Sequence, residues 1–128
     1  MIVDTSAAIA VMQQESETDR LIHLMVEAPA LGIGAPSLVE IALVLGSRLQ
    51  RDAQDIVSRF IQEFDIEPIP FGPLHWKVAS AAFAKFGKGR HPAKLNFGDC
   101  MSYAVARIAD KPLLFVGEDF AKTDIETA

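Results

Sequence analysis

Four acidic side chains stand where a chemical centre could form. Asp4 closes the apolar run "MIVD", Glu40 lies in "APSLVE", Asp99 opens "GDCMSYAVARIA" and Asp119 follows "PLLFVGE". Each has a plainer account. Asn96 and Asp99 have the spacing of a capping box, as do Ser37 and Glu40; Asp4 can cap the helix that follows it, and Asp119 can be a turn residue. A cap contributes only ~1 kcal/mol. Two like charges ~4 Å apart repel by about 4 kcal/mol at an effective dielectric near 20. Gathered in one crevice, several carboxylates therefore require raised pKa values or a cation. With oxygen donors alone and no Cys or His beside them, the expected cation is hard, Mg²⁺ or Mn²⁺. Such an ion polarises a phosphoryl oxygen and supplies hydroxide for in-line attack, which is the chemistry of phosphodiester hydrolysis.

The acids can meet only if the fold brings them together. "MIVD" reads as a short buried strand and "TSAAIAVMQQ" as a helix with Thr5 or Ser6 near its start. "SETDRLIHLMVEA" is an amphipathic helix with a Ser16-to-Asp19 capping pattern, "ALGIGA" a second strand, and Pro36 with Ser37 opens the helix "SLVEIALVLGSRLQ". "RDAQDIVSRFIQEF" follows as a helix, "IEPIP" as a brief strand and "PLHWKVASAAFAKF" as a helix. The loop "GKGRHPAK" leads into the Asp99 helix, and "PLLFV" is a last buried strand before "GEDFAKTDI" turns away. Apolar strands alternating with helices predict a three-layer α/β/α sandwich with a mostly parallel central sheet. In such a sheet ligands bind outside the carboxyl ends of the strands. Asp4, Glu40 and Asp119 all follow strands and should share that edge; pattern alone says least about Asp99.

Composition narrows the class. The 128 residues suit one domain spanning 1–128 with a single core, and 50% hydrophobic with 23% charged residues is a globular balance. No apolar run reaches the ~18 residues of a membrane span. "MIVDTS" has no basic n-region, so no secretory leader is expected. The lone Cys100 excludes a disulfide framework, suits a reducing cytoplasm and reads as a small core residue. Net charge of −5 argues against generic nucleic-acid binding. The charge is segregated, however: Pro68 to Gly98 holds no acid, yet it contains Lys77, Lys85, Lys88, Arg90 and Lys94. That stretch is either a solvated face or a local surface for a polyanion. His23 reads as a helix residue, His75 and Trp76 as surface and packing residues, and His91 as a loop residue near any substrate. Ile41, Leu43, Val44 and Leu45 read as core.

Four stretches in order, "MIVDTSA", "APSLVEIALVL", "GRHPAKLNFGDCMSYAVAR" and "PLLFVGEDFAKTDI", resemble the PIN-domain family, and within it the VapC-type toxins of toxin–antitoxin pairs, from Met1 to about Ile125. The resemblance implies an endoribonuclease that cuts RNA, often a structured RNA such as tRNA, with metal-activated water. It makes Asp4, Glu40, Asp99 and Asp119 the catalytic acids, with Asp4 and Asp99 as metal ligands and Thr5 or Ser6 as supports of the Asp4 loop. Glu118 follows Gly117 where relatives often carry a further polar residue, so Glu118 could share or replace the role of Asp119, and one-metal and two-metal arrangements both stay open. Lys88, Arg90 and Lys94 would hold the RNA backbone. The implied partners are a second copy of the chain and a VapB-type antitoxin lying across the groove. Three other readings compete. A non-catalytic PIN-like module would bind RNA or protein without cutting, and a DNA-directed nuclease would share the same site chemistry. A phospho-acceptor receiver domain would want adjacent acids after the first strand, where this chain has one.

Overall fold

A parallel sheet needs strands apolar on both sides, and this chain supplies them in short pieces. The computed structural model describes residues 1–128. Its elements run β1 (Ile2–Val3), α1 (Thr5–Met12), α2 (Thr18–Glu27), β2 (Leu31–Gly34), α3 (Ala35–Leu49), α4 (Gln54–Glu63), β3 (Ile66–Ile69), α5 (Pro73–Phe86), α6 (Phe97–Ala109) and β4 (Leu113–Leu114), then a 3₁₀ turn over Phe120–Lys122. The strands form one sheet in the order β3-β2-β1-β4, and every pairing is parallel. The sheet is thus wholly parallel where a mostly parallel one was expected.

Side-chain alternation along the strands divides the core into two layers. Val3 and Leu114 point with Leu31, Ile33 and Ile66 into a cluster closed by α1 to α4, among them Leu21, Met25, Ile41 and Phe60. Ile2 and Leu113 point the other way, into a cluster with Leu95, Tyr103, Val105 and Phe120 under α5 and α6. Gly34 lets α6 come close: a Cβ there would meet the Val105 side chain at 2.8 Å.

The sheet's connectivity reverses at β1. The chain moves outward from β1 to β2 to β3, then returns to place β4 on the other flank. The crevice outside the carboxyl ends of β1 and β4 is therefore the switch point, where ligands bind in open parallel sheets. Asp4 follows β1 directly and Asp119 follows β4, so this pair flanks the crevice.

Helix starts differ from expectation at two capping patterns. At α2 the N-cap is Glu17, with no side-chain cap bond, and Ser16 and Asp19 form no box. The Thr18 hydroxyl instead donates to Ala10 O and Glu15 O, tying α2 to the end of α1. The helix α3 begins at Ala35, with Gly34 as N-cap and Pro36 in its first turn. Ser37 thus lies inside the helix, too late to cap it, because Pro36 needs no N–H partner and lets the helix begin directly after β2. Of the apolar stripe in this helix, Ile41 and Leu45 are core, but Leu43 is 68% exposed. No helix is long and apolar enough to cross a membrane.

Ile33, fully buried at the centre of β2, is the sharpest test of the layered core. Ile33→Ala should destabilise the fold by about 3 kcal/mol, read as a lower urea midpoint with an unchanged m-value.

Candidate functional site

Asp4 is placed by the turn from β1 into α1. It is the N-cap of α1 and only 4% exposed. Its Oδ2 accepts the Ser6 N–H at 3.0 Å and the Ser6 hydroxyl at 2.6 Å, which leaves Oδ1 for another partner. The Ser6 hydroxyl oxygen in turn accepts the Val116 N–H at 3.0 Å, fastening the Asp4 turn to the end of β4. Ser6 therefore supports the Asp4 loop by direct contact. Thr5 makes no such bond: its Oγ1 is buried with no hydrogen-bond partner.

Asp99 sits in the first turn of α6 and does form the capping box. Its Oδ2 accepts the Asn96 N–H at 3.0 Å, and Asn96 Oδ1 accepts the Asp99 N–H at 2.8 Å. Here too Oδ1 is left over. Glu40 is half-buried on α3 and serves no cap. Its carboxylate lies against the first turn of α6, since a Cβ on Gly98 would come within 2.6 Å of Glu40 Oε2. Asp119 is exposed and precedes the 3₁₀ turn without a side-chain cap bond.

The electrostatics join these four residues. Burial pushes the Asp99 carboxyl up to about 6, and the charges of Asp4, Asp119 and Glu40 push the same way, against the Asn96 N–H, which favours the anion. The charge of Glu118, exposed beside Asp119, is not among those that shift it. None of the four acids takes part in any of the chain's ion pairs. Their mutual repulsion is thus left to solvent or a bound cation.

The donors fit a hard divalent ion in kind. All are oxygens, Asp4 and Asp99 each keep a spare one, and the buried Thr5 hydroxyl stands next to Asp4 with nothing to bind. No three acidic, His or Cys side chains stand close enough to enclose an ion by themselves. The arrangement is an open acidic crevice, of the sort that suits a cation retaining part of its water.

Lys88, Arg90 and Lys94 are all exposed on the loop between α5 and α6, which leads into the Asp99 helix, and lie outside every ion pair. The loop is pinned by reciprocal bonds, Lys88 N–H to Leu95 O and Leu95 N–H to Phe86 O, and Arg90 lies over the Phe83 ring at 5.5 Å. Of the other two cations in the acid-free stretch, Lys85 faces Asp124 at 3.9 Å and Lys77 lies over the Trp76 ring. His91 spends Nδ1 on the Ala93 N–H and His75 spends its own on the Gly72 N–H, so both organise local turns; His23 is exposed. Cys100 is buried, and burial with the neighbouring Asp99 charge pushes its thiol up to about 11, so it is a neutral core side chain. Two contacts escaped the sequence. Ser37 and Ser102 share a buried hydrogen bond of 3.2 Å between α3 and α6, and Tyr103 donates to Asp124 at 2.6 Å. Spacing could not pair them, because they lie 65 and 21 residues apart.

Comparison with known proteins agrees with this fold. The PIN domain family model matches residues 1–126. The chain belongs to the PIN-domain family. Within it the relatives are of VapC type. A VapC ribonuclease of Mycobacterium bovis and the ribonuclease VapC36 of Mycobacterium tuberculosis are each 41% identical over 127 residues, covering 98% of this chain and 91% of theirs. Among solved structures, Mycobacterium tuberculosis VapC20, a sarcin–ricin loop cleaving toxin, superposes with a TM-score of 0.79 at 16% identity, over 99% of this chain and 97% of that one. A toxin–antitoxin complex from Klebsiella pneumoniae superposes with a TM-score of 0.71 at 18% identity, over 96% and 92%. At those identities the structures show the PIN fold, the α/β/α sandwich described above.

The raised Asp99 pKa fixes the sign of a stability effect. Its folded value near 6 lies above the ordinary 3.8, so its contribution to stability is full below about 3.8 and is lost as pH rises through about 6. Asp99→Asn should therefore melt higher than the parent at pH 7.5 without divalent ions. The gain should be about 1 kcal/mol, less than the full shift because the carboxyl is part-exposed, and it should vanish towards pH 4. Parallel thermal melts across that range check it.

Proposed function

We propose that the chain is a metal-dependent endoribonuclease toxin of VapC type, acting through residues 1–128 as one nuclease domain. The observation that carries the reading is the convergence of Asp4, Glu40 and Asp119 on Asp99, with no Lys or Arg of the chain paired to any of them. A phosphodiester is itself anionic and would be repelled from such a crevice unless a cation stood between. The chain's relatives named as ribonucleases support RNA as the substrate.

In this reading Asp4 and Asp99 would hold Mg²⁺ or Mn²⁺, and Glu40 and Asp119 complete the acidic rim. Once bound, the ion supplies Lewis acidity towards a phosphoryl oxygen and lowers the pKa of water. The chain's own residues do the rest. Ser6 orients Asp4, the capping box orients Asp99, and Lys88, Arg90 and Lys94 draw the RNA backbone along the edge of the crevice, positioning without reading sequence. The partners proposed are an antitoxin of VapB type, one of the structural neighbours being a toxin–antitoxin complex, and a second copy of the chain. Val39, Leu43 and Phe97, exposed near Glu40 and Asp99, give such partners an apolar surface.

Cleavage of total RNA and of tRNA by antitoxin-free protein tests the reading. Cutting should require Mg²⁺ or Mn²⁺, stop with EDTA, and fall by at least about a hundredfold in Asp4→Asn and Asp99→Asn, more than loss of a mere supporting contact costs. Well-folded, metal-loaded protein that binds RNA without cutting it would favour a binding module instead. RNA cut equally by Asp99→Asn would overturn the assignment of the site.

The basic loop makes a separate claim. Replacing Lys88, Arg90 and Lys94 together by Ala should lower the slope of log binding against log salt by about 2 for single-stranded RNA. An unchanged slope would take the loop out of the substrate path.

A further inference from the structure

Three of the four acids sit on well-anchored elements, and Asp119 does not. Asp4 is buried and capped, Asp99 is locked in its box, and Glu40 rides on the long helix α3. Asp119 is exposed, makes no side-chain cap bond, and lies two residues after Gly117, whose φ of +100° lets the backbone turn freely. Its charge nevertheless acts on Asp99, so the segment that carries it needs ties elsewhere.

The segment is tied at both ends. At Val116 the N–H bonds to the Ser6 hydroxyl, two residues from Asp4. At Asp124 the carboxylate accepts the Tyr103 hydroxyl at 2.6 Å, and Tyr103 lies one turn along α6 from Asp99. Between the ties, after Gly117, local bonds hold the turn. The 3₁₀ turn Phe120–Lys122 buries Phe120, the Thr123 hydroxyl donates to Phe120 O at 2.7 Å, and the Ile125 N–H donates to Thr123 Oγ1 at 3.2 Å. Lys85 and Arg107 approach Asp124 at 3.9 and 3.7 Å and favour its anionic, accepting form.

We propose that Tyr103 and Asp124 are positioning residues of the acidic centre: their hydrogen bond hangs the Asp119 segment on the helix that carries Asp99, and so fixes the distance between those two carboxylates. This rests on the reading of the acids as the reaction centre. The bond is well made for the task. Tyr103 is 6% exposed, so its ring is fixed by packing and only the hydroxyl reaches out. Its removal as Tyr103→Phe takes away one oxygen and leaves the packed ring in place.

Tyr103→Phe, Asp124→Ala and Asp124→Asn separate positioning from general stability. Asn keeps an oxygen that can accept from Tyr103, so Asp124→Asn should stay within about twofold of the parent. Tyr103→Phe and Asp124→Ala should lower kcat by at least about tenfold, as small misplacements of catalytic groups do, with KM for RNA changed less than about twofold. In an Asp119→Asn background the same two substitutions should cost nothing further, because the group they place is already gone. Amide exchange of residues 117–123, measured without RNA or metal, should quicken in Tyr103→Phe and Asp124→Ala only. Parent-like kcat in Tyr103→Phe, or an undiminished loss in the Asp119→Asn background, would overturn the proposal. So would unchanged amide exchange, whether or not the parent cuts RNA. A parent that cuts no RNA while exchange quickens as expected would instead remove the reading of the site, and with it the reaction these residues serve.

Discussion

Repulsion among four carboxylates is the constraint around which this edge of the molecule is built. They come from four separate stretches of chain, and a parallel sheet is what lets them meet, because every strand ends on the same side. Two features of the fold offset part of the cost. Asp4 is the N-cap of α1 and Asp99 lies in the first turn of α6, where the helix dipole favours negative charge. The offset is incomplete, as the raised pKa of Asp99 records. The remainder is a repulsion that a bound cation would relieve, which is what the proposed metal site requires.

Capping and ligation are not alternatives here. A carboxylate has two oxygens, and in both Asp4 and Asp99 the local hydrogen bonds fall on Oδ2. The cap fixes the direction of the side chain and leaves the other oxygen without a hydrogen-bond partner. In the proposed metal site, the ordinary device for starting a helix would thus double as the device that orients a ligand. Glu40 shows the contrast. It is relieved of capping because α3 begins at Ala35, and it is placed instead by the bare backbone of Gly98, where any larger residue would collide with it.

The sequence made the elements legible because their signals are local. "PLHWKVASAAFAKF" coincides with α5 over Pro73–Phe86, and Asn96 with Asp99 is a true box. Ser37 with Glu40 has the same spacing and is not one, because a preceding proline moved the helix start, which spacing cannot register. Leu43 was expected inside and is exposed, since an unbroken apolar run from Ile41 to Leu45 on a helix must turn some of its side chains outward. That Asp4, Glu40 and Asp119 share one edge could be inferred from the alternation of strands and helices; the placing of Asp99 could not. The ties that hold them, Ser6 to Val116, Ser37 to Ser102 and Tyr103 to Asp124, join residues far apart in the chain and only appear with the fold.

The central claim is that the acidic crevice is a divalent-cation site, and the most direct measurement is the melting temperature of the parent protein titrated with Mn²⁺ at constant ionic strength. A ligand that binds only the folded chain stabilises it by RT ln(1 + [L]/Kd), so the melting temperature should climb steadily with Mn²⁺, and Asp99→Asn should flatten the curve. A parent whose melting temperature is indifferent to Mn²⁺, or an Asp99→Asn variant that responds as strongly as the parent, would contradict the account.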